Sequence, residues 1–119
     1  MQARPRKNNF LELYCRKQYS IIMVKIRFSW DGRKAAQNLR KHGVSFEDAS
    51  TVFFDENAKE YFDPDHSADE DRFLMLGFDC RLRLLVVSYC FDKEQKQIRI
   101  ISARKATTME KNEFAKGAL

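Results

Sequence analysis

Lys41 and His42 stand together at the foot of a predicted helix, and Arg72, Arg83, Arg99 and Arg104 are spread along the predicted strands and turns further on. These side chains are the ones whose types suit chemistry. A histidine titrates near neutral pH and can take or give a proton. An arginine can hold two phosphate oxygens at once, whereas a lysine, here Lys34, Lys41 or Lys105, offers a point charge. Together they suit a phosphate-bearing partner, and if that partner is RNA they suit its metal-free cleavage, in which the ribose 2′-OH attacks the adjacent phosphate. That reaction needs a base for the hydroxyl proton, cations around the phosphorane and an acid for the leaving oxygen. The assignment that follows is His42, Lys41, Arg72 and Arg104 as catalytic residues and Lys34, Arg83, Arg99 and Lys105 as RNA-binding residues, with no metal and no cofactor. Each has a plainer reading. His42 also suits a helix end, where it favours the local dipole, and Lys34 and Arg40 also suit a solvated helix face. Because phosphate binding and phosphate cleavage use the same cations, a non-catalytic nucleic-acid-binding module is the rival function.

The elements that must position these residues begin with the stretch from Phe28 to Phe46. Asp31 can accept the free amide protons of a first helical turn, Ala35, Ala36 and Leu39 form a narrow apolar stripe, and Gly43 supplies the left-handed residue that closes a helix. Arg33, Lys34, Asn38, Arg40 and Lys41 fall on the opposite face. Ser45 then caps a second helix, with Asp48 three residues on and able to reach back, while Phe46, Ala49, Val52 and Phe53 recur at helical spacing. Trp30 and Phe46 read as core anchors. A short strand over Ala58 to Phe62 leads to a loop from Asp63 to Asp71, where a proline and crowded carboxylates disfavour helix and strand alike. Asp63, Asp65, His66 and Asp69 could ligate a divalent ion there, although a solvated loop is the simpler reading. Arg72 to Asp79, Leu82 to Phe91 and Gln97 to Lys105 are three further strands joined as antiparallel hairpins, and Thr107 or Thr108 caps a last helix. The fold class expected is α+β, an antiparallel sheet with two N-terminal helices and a C-terminal helix in the order β-α-α-β-β-β-β-α. Plain alternation along the last strand puts Ile98, Ile100, Ser102 and Arg104 on one face and Arg99, Ile101, Ala103 and Lys105 on the other.

Charge divides the chain into unlike parts. From Asp55 to Asp71 there are eight acids against Lys59 alone, whereas from Arg81 to Lys105 there are seven basic residues against two acids, so a basic sheet with Tyr89, Phe91 and Phe78 is set beside an acidic loop. Such a sheet attracts phosphates and can stack bases. Residues 1–22 carry a net charge of +4 and residues 23–119 a net of +1, so most of the basicity lies in the N-terminal arm. Met23 directly precedes a strand pattern, and the arm therefore reads as an extension from an upstream start codon, leaving residues 23–119 as the domain. An RNA- or DNA-binding tail is the competing reading of the arm; a secretory signal is disfavoured because no long apolar region follows the basic residues. At 119 residues and 44% hydrophobic composition, a single core is all the chain can build. No apolar run approaches the roughly 20 residues that span a bilayer. Cys15, Cys80 and Cys90 are odd in number and lack C-x-x-C spacing, which suggests neither a disulfide framework nor a zinc site, and points to reducing cytoplasm. Cys80 and Cys90 should lie at opposite ends of one strand, too far apart to bond.

The run F-x-W-D-x-x-K-A-x-x-N-x-x-K-H-G-V-x-F at residues 28–46, F-F-D at 53–55, the D-P-D-H-S loop, E-D-R-F, R-L-L-V-V-S-Y and I-R-I-I-S-A-R-K-A-T together resemble the BrnT-type toxins, once a domain of unknown function. The likeness covers residues 23 to about 114, and its motifs stand in the family's order. None of the first 22 residues takes part in it. What the resemblance implies is a RelE-like fold, metal-independent endoribonuclease activity that arrests growth, and a BrnA-like ribbon-helix-helix antitoxin that neutralises the toxin in a heterotetramer. Operator DNA would be met only through that antitoxin, whose basic parts the acidic loop could contact. No membrane association is implied.

Overall fold

The structure, a computed structural model, describes residues 26–117. The expected N-terminal arm, residues 1–22, lies outside them. Within them the chain runs β1 (Arg27–Ser29), α1 (Gly32–His42), α2 (Phe46–Ser50) continued by a 3-10 turn (Thr51–Phe54), β2 (Lys59–Phe62), β3 (Arg72–Phe78), β4 (Leu84–Asp92), β5 (Gln97–Lys105) and α3 (Thr108–Gly117). The order and class are those expected. A second 3-10 turn, Pro64–His66, ties the acidic loop, where Asp63 accepts from His66 and from the Ser67 hydroxyl. No described helix is long and apolar enough to cross a membrane.

The five strands form one sheet in the order β1-β5-β4-β3-β2, in which β1 is parallel to β5 and all other pairs are antiparallel. The parallel edge departs from the all-antiparallel expectation. After α1 and α2 the chain enters β2 in the sense opposite to β1, and three hairpin reversals then bring β5 alongside β1 pointing the same way. Both helices cover one sheet face. There Val44, Phe46, Ala49 and Val52 pack on Leu85, Val87, Tyr89, Ile98, Ile100 and Ala103, with Trp30 edge-on to Phe46 at 5.9 Å. The other face is covered at one end only, where Phe114 of α3 meets Leu76, Leu84, Val86 and Ala106.

Three local expectations are corrected by the tertiary packing. The first concerns α1, whose buried residue is Asn38 at 7% exposure, while Leu39 of the expected apolar stripe is 51% exposed. The amide of Asn38 donates to the Val44 carbonyl at 3.0 Å and the Ala103 carbonyl at 2.7 Å, and its oxygen accepts from the Ala103 N–H at 3.1 Å. A helix that meets the middle of a bulged strand must answer that strand's backbone groups, and a polar side chain does so where leucine cannot. The second concerns β5. Ser88 pairs with Ser102 but Tyr89 with Ile100, so Ile101 is the extra residue of a bulge. Alternation shifts by one beyond it. Ala103 therefore joins Ile98 and Ile100 in the helix-side core, and Arg104 falls on the face of Arg99 rather than on that of Ile98. The third concerns Asp48, whose backbone N–H bonds the Ser45 hydroxyl as expected but whose carboxylate turns away to Arg81 and Arg83.

The last helix is held by a reciprocal cap and an ion pair. Thr107 accepts from the Glu110 N–H, Glu110 accepts from the Thr107 N–H, and Arg104 of β5 grips both Glu110 carboxylate oxygens at 2.8 and 2.9 Å. Arg104 foremost, then the Thr107 amide, lowers the Glu110 carboxyl to about 2 from an ordinary 4.5. Cys80 and Cys90 are free thiols, Cys80 beyond the end of β3 and Cys90 in register with its first residue, Arg72.

Two stability predictions follow from these contacts. Asn38→Ala leaves three buried backbone groups without partners and should cost about 2 to 4 kcal/mol in urea unfolding, with Asn38→Asp no better, since a carboxylate cannot donate to two carbonyls. A loss under about 0.5 kcal/mol would show that water replaces the amide. Because the folded Glu110 carboxyl is depressed, its contribution is complete above pH 4.5 and disappears as pH falls towards 2. Glu110→Gln should therefore lose roughly 1 kcal/mol at neutral pH, a figure discounted for the solvent that reaches the pair, and close to nothing at about pH 2.

Candidate functional site

The turn that carries Lys41 and His42 is built from several directions. Gly43 adopts φ 69°, a left-handed conformation that closes α1 through its N–H to the Leu39 carbonyl. Asn38 then holds the Val44 carbonyl, and Arg83 donates to the Gly43 carbonyl at 3.1 Å. Arg83 is itself held by Asp79, whose Oδ2 accepts from Nε at 3.0 Å and Nη2 at 2.8 Å, and by Asp48 Oδ2 at 3.2 Å. Asp79 also accepts from the backbone N–H groups of Arg81 and Arg83, which shapes the turn between β3 and β4. Asp48 and Asp79 are almost fully buried. Two buried carboxylates are stable here because guanidinium and amide donors surround them. The Cys80 thiol beside them is pushed up to about 11, by burial first, opposed by the Thr51 hydrogen bond and helped by Asp48 and Asp79, and it stays protonated at neutral pH.

Around this turn stand cations with no counter-ion among the described residues. The side chains of Lys34, Lys41 and Lys105 are exposed and make no ion pair with another described residue. His42, half-buried, makes none either. Lys105 is in register with Leu85, two residues from Arg83, and so comes to the same end of the sheet as the Lys41-His42 turn. Lys34, in the first turn of α1, lies about 10 Å up the helix from Lys41 at 1.5 Å per residue.

The remaining arginines of the expected set are elsewhere. Arg72 opens β3, is in register with Cys90, and through it with Arg99 of β5. Six residues of β3 separate Arg72 from Phe78, which puts this row about 20 Å along the sheet from the β3–β4 turn. It also faces away from α1, because Cys90 shares its sheet face with Leu84 and Val86. Arg99 is ion-paired with Glu70, the Arg72 Nε is buried without a hydrogen-bond partner, and Arg104 is committed to Glu110. Arg72 and Arg99 are thus brought together, as are Lys41, His42 and Lys105. The two groups do not meet, and Arg83 holds the turn with donors that already have acceptors within the protein.

A cleft of about 900 Å³ lies at the Arg99 end of the sheet, with Phe53, Phe73, Tyr89 and Phe91 among its walls and Glu60 and Glu70 among its charges. Burial first, and then its hydrogen bond to Glu60, raises the Tyr89 phenol above its ordinary value. Five carboxylates against Lys93 and Arg99 make this cleft anionic and aromatic, unlike the surface expected near Tyr89 and Phe91, so a phosphate can be held there only where a carboxylate gives way to it. Sequence reasoning had assigned no role to Asn38, Asp79 or Glu70. The spacing Ala35, Asn38, His42 was a legible sign of the inward face of α1, whereas nothing local marked Glu70 as the partner of an arginine 29 residues away.

A family model described as the ribonuclease toxin BrnT of type II toxin–antitoxin systems matches residues 30–110, from the start of α1 into α3. Among solved structures, the crystal structure of the Brucella abortus ribonuclease toxin BrnT is similar to this chain with a TM-score of 0.56 and 24% identity, over 71% of this chain and 100% of that one. At that identity the likeness speaks for the fold. No curated protein matches. With the family match spanning most of the chain, and the sheet and helices superimposing on a BrnT structure, this protein belongs to the BrnT toxin family of type II toxin–antitoxin systems.

Proposed function

We propose that the protein is a metal-independent endoribonuclease that cuts RNA from the turn at the end of α1. The observation that carries the reading is that Lys41 and His42 lie on a turn fixed by Asn38 and Arg83, beside cations that have no counter-ion among the described residues. In this reading His42 takes the proton of the 2′-OH as its oxygen attacks the neighbouring phosphate. Lys41 steadies the charge of the phosphorane and supplies the proton to the departing 5′-oxygen, leaving a 2′,3′-cyclic phosphate. Lys105 and Lys34 hold flanking phosphates. Arg83 positions the turn, Arg104 clamps α3, and Arg72 and Arg99 lie too far along the sheet to touch the scissile phosphate.

The family's description as a ribonuclease toxin supports the activity in general. A type II system implies a protein antitoxin, and we take it to be a BrnA-like ribbon-helix-helix protein that closes a heterotetramer and carries the only contact with operator DNA. The place of action proposed is the cytoplasm, where RNA is.

His42→Ala and Lys41→Ala should each reduce cleavage of purified RNA about 10²-fold or more while the variants melt near the wild-type temperature. A histidine serving only the helix end gives the opposite result, lower stability with cleavage intact. Wild-type cutting by His42→Ala across about pH 5 to 9 would exclude it as the base, and RNA bound but never cut by the wild type would identify a binding module. The domain assignment has its own check: a chain starting at Met23 should cut RNA at the full rate and melt within about 10 °C of the full chain, a larger drop showing that residues 1–22 belong to the folded unit.

A further inference from the structure

We propose that Arg72 and Arg99 form a phosphate subsite that the Glu70 carboxylate occupies until a backbone phosphate of RNA displaces it. The two arginines are cross-strand neighbours through Cys90, on the sheet face that α3 leaves uncovered at this end. Ser88 and Ser102 lie in the next row but one. Two guanidinium groups side by side on a sheet repel one another unless an anion lies between them, and Glu70 is that anion: its Oε2 accepts from Arg99 Nη2. The match is incomplete. Arg72 keeps a buried Nε with no acceptor among the described residues, a donor that a carboxylate already given to Arg99 leaves idle. A phosphodiester, with more acceptor oxygens in a tetrahedral spread, can serve both arginines.

Glu70 is built to be displaced. It lies in the loop between β2 and β3 rather than on a strand, and its side chain and that of Arg99 are 44% and 42% exposed. An ion pair so open to solvent is weak. The Cys90 thiol first, then Arg99 and Arg72, holds the Glu70 carboxyl below the ordinary carboxylate value, which places it beside both arginines. Cys90 is the reciprocal partner, its thiol pushed up to about 11 by burial and next by Glu70. The subsite lies about 20 Å from the Lys41-His42 turn, so it engages a phosphate several nucleotides from the cut. That the phosphate belongs to RNA rests on the ribonuclease reading above.

The test is the affinity of a fluorescent 2′-O-methyl oligoribonucleotide, which lacks the attacking hydroxyl and is not cut, measured by anisotropy at one low salt concentration. Glu70→Gln should tighten Kd about 2- to 5-fold, the scale of one exposed ion pair. Arg99→Ala should weaken binding, and Glu70→Gln placed on Arg99→Ala should bring no further gain. An equal gain in both backgrounds means that only net charge has changed, and overturns the plug. An unchanged or weaker Kd for Glu70→Gln does the same, while wild-type cleavage of unmodified RNA leaves the ribonuclease reading standing. If the coupled gain appears but neither the wild type nor Glu70→Gln cuts RNA, the subsite stands and the ribonuclease reading falls. Circular dichroism of each variant excludes misfolding, which substitution at these exposed side chains should not cause.

Discussion

Asn38 is where the helical layer and the sheet are locked in register. Its single buried amide joins α1, the turn after it and Ala103 near the end of β5 by three hydrogen bonds. Apolar packing of Val44 and Phe46 on Leu85 and Ile100 supplies more free energy, but it is tolerant of small slides, whereas directed bonds to a named carbonyl and N–H are not. The bulge at Ile101 makes the lock possible by turning Ala103 to the helix side. Every feature of the α1 end, including the angle at which Lys41 and His42 leave it, depends on this register.

The second constraint is electrostatic. Arg83 ties two buried aspartates, the β3–β4 turn and the Gly43 carbonyl into one network, so the turn bearing His42 is held from the sheet as well as from its own helix. Removing Arg83 would leave two buried carboxylates uncompensated, which is costlier than the net worth of the network itself. The β3–β4 turn even accepts a left-handed Leu82, φ 63°, 81% exposed, as the shape that lets Asp79 reach both following amides.

Among the cations expected at the site, Arg83, Arg99 and Arg104 each have a carboxylate partner, whereas Arg72, Lys34, Lys41 and Lys105 make no ion pair with another described residue. Planar guanidinium groups suit fixed bidentate contacts within the fold, and flexible ammonium groups stay hydrated and free to meet a mobile polyanion. In the function proposed above this division is an advantage: free lysines supply long-range attraction for RNA, and an arginine whose glutamate gives way adds its grip on contact.

Local pattern determined the succession of elements, the caps at Asp31, Ser45 and Thr107, the left-handed Gly43, the core roles of Trp30 and Phe46, and family membership, because each depends on residues within a turn or two of one another or on their linear order. Plain alternation was sufficient for β4, which is regular. It failed for β5, where one inserted residue reverses every face beyond it, and it failed for α1, where the best inward residue is polar because a strand's backbone, not its side chains, lies opposite. Which arginines are free was decided only by tertiary structure. Glu70, the partner of Arg99, and Asp48, the second carboxylate on Arg83, are 29 and 35 residues away in the chain, brought close by the loop before β3 and by α2 lying on the sheet. A local reading counts charges; only the folded sheet brings each charge to its neighbour, and at a few ångströms that neighbour outweighs the count.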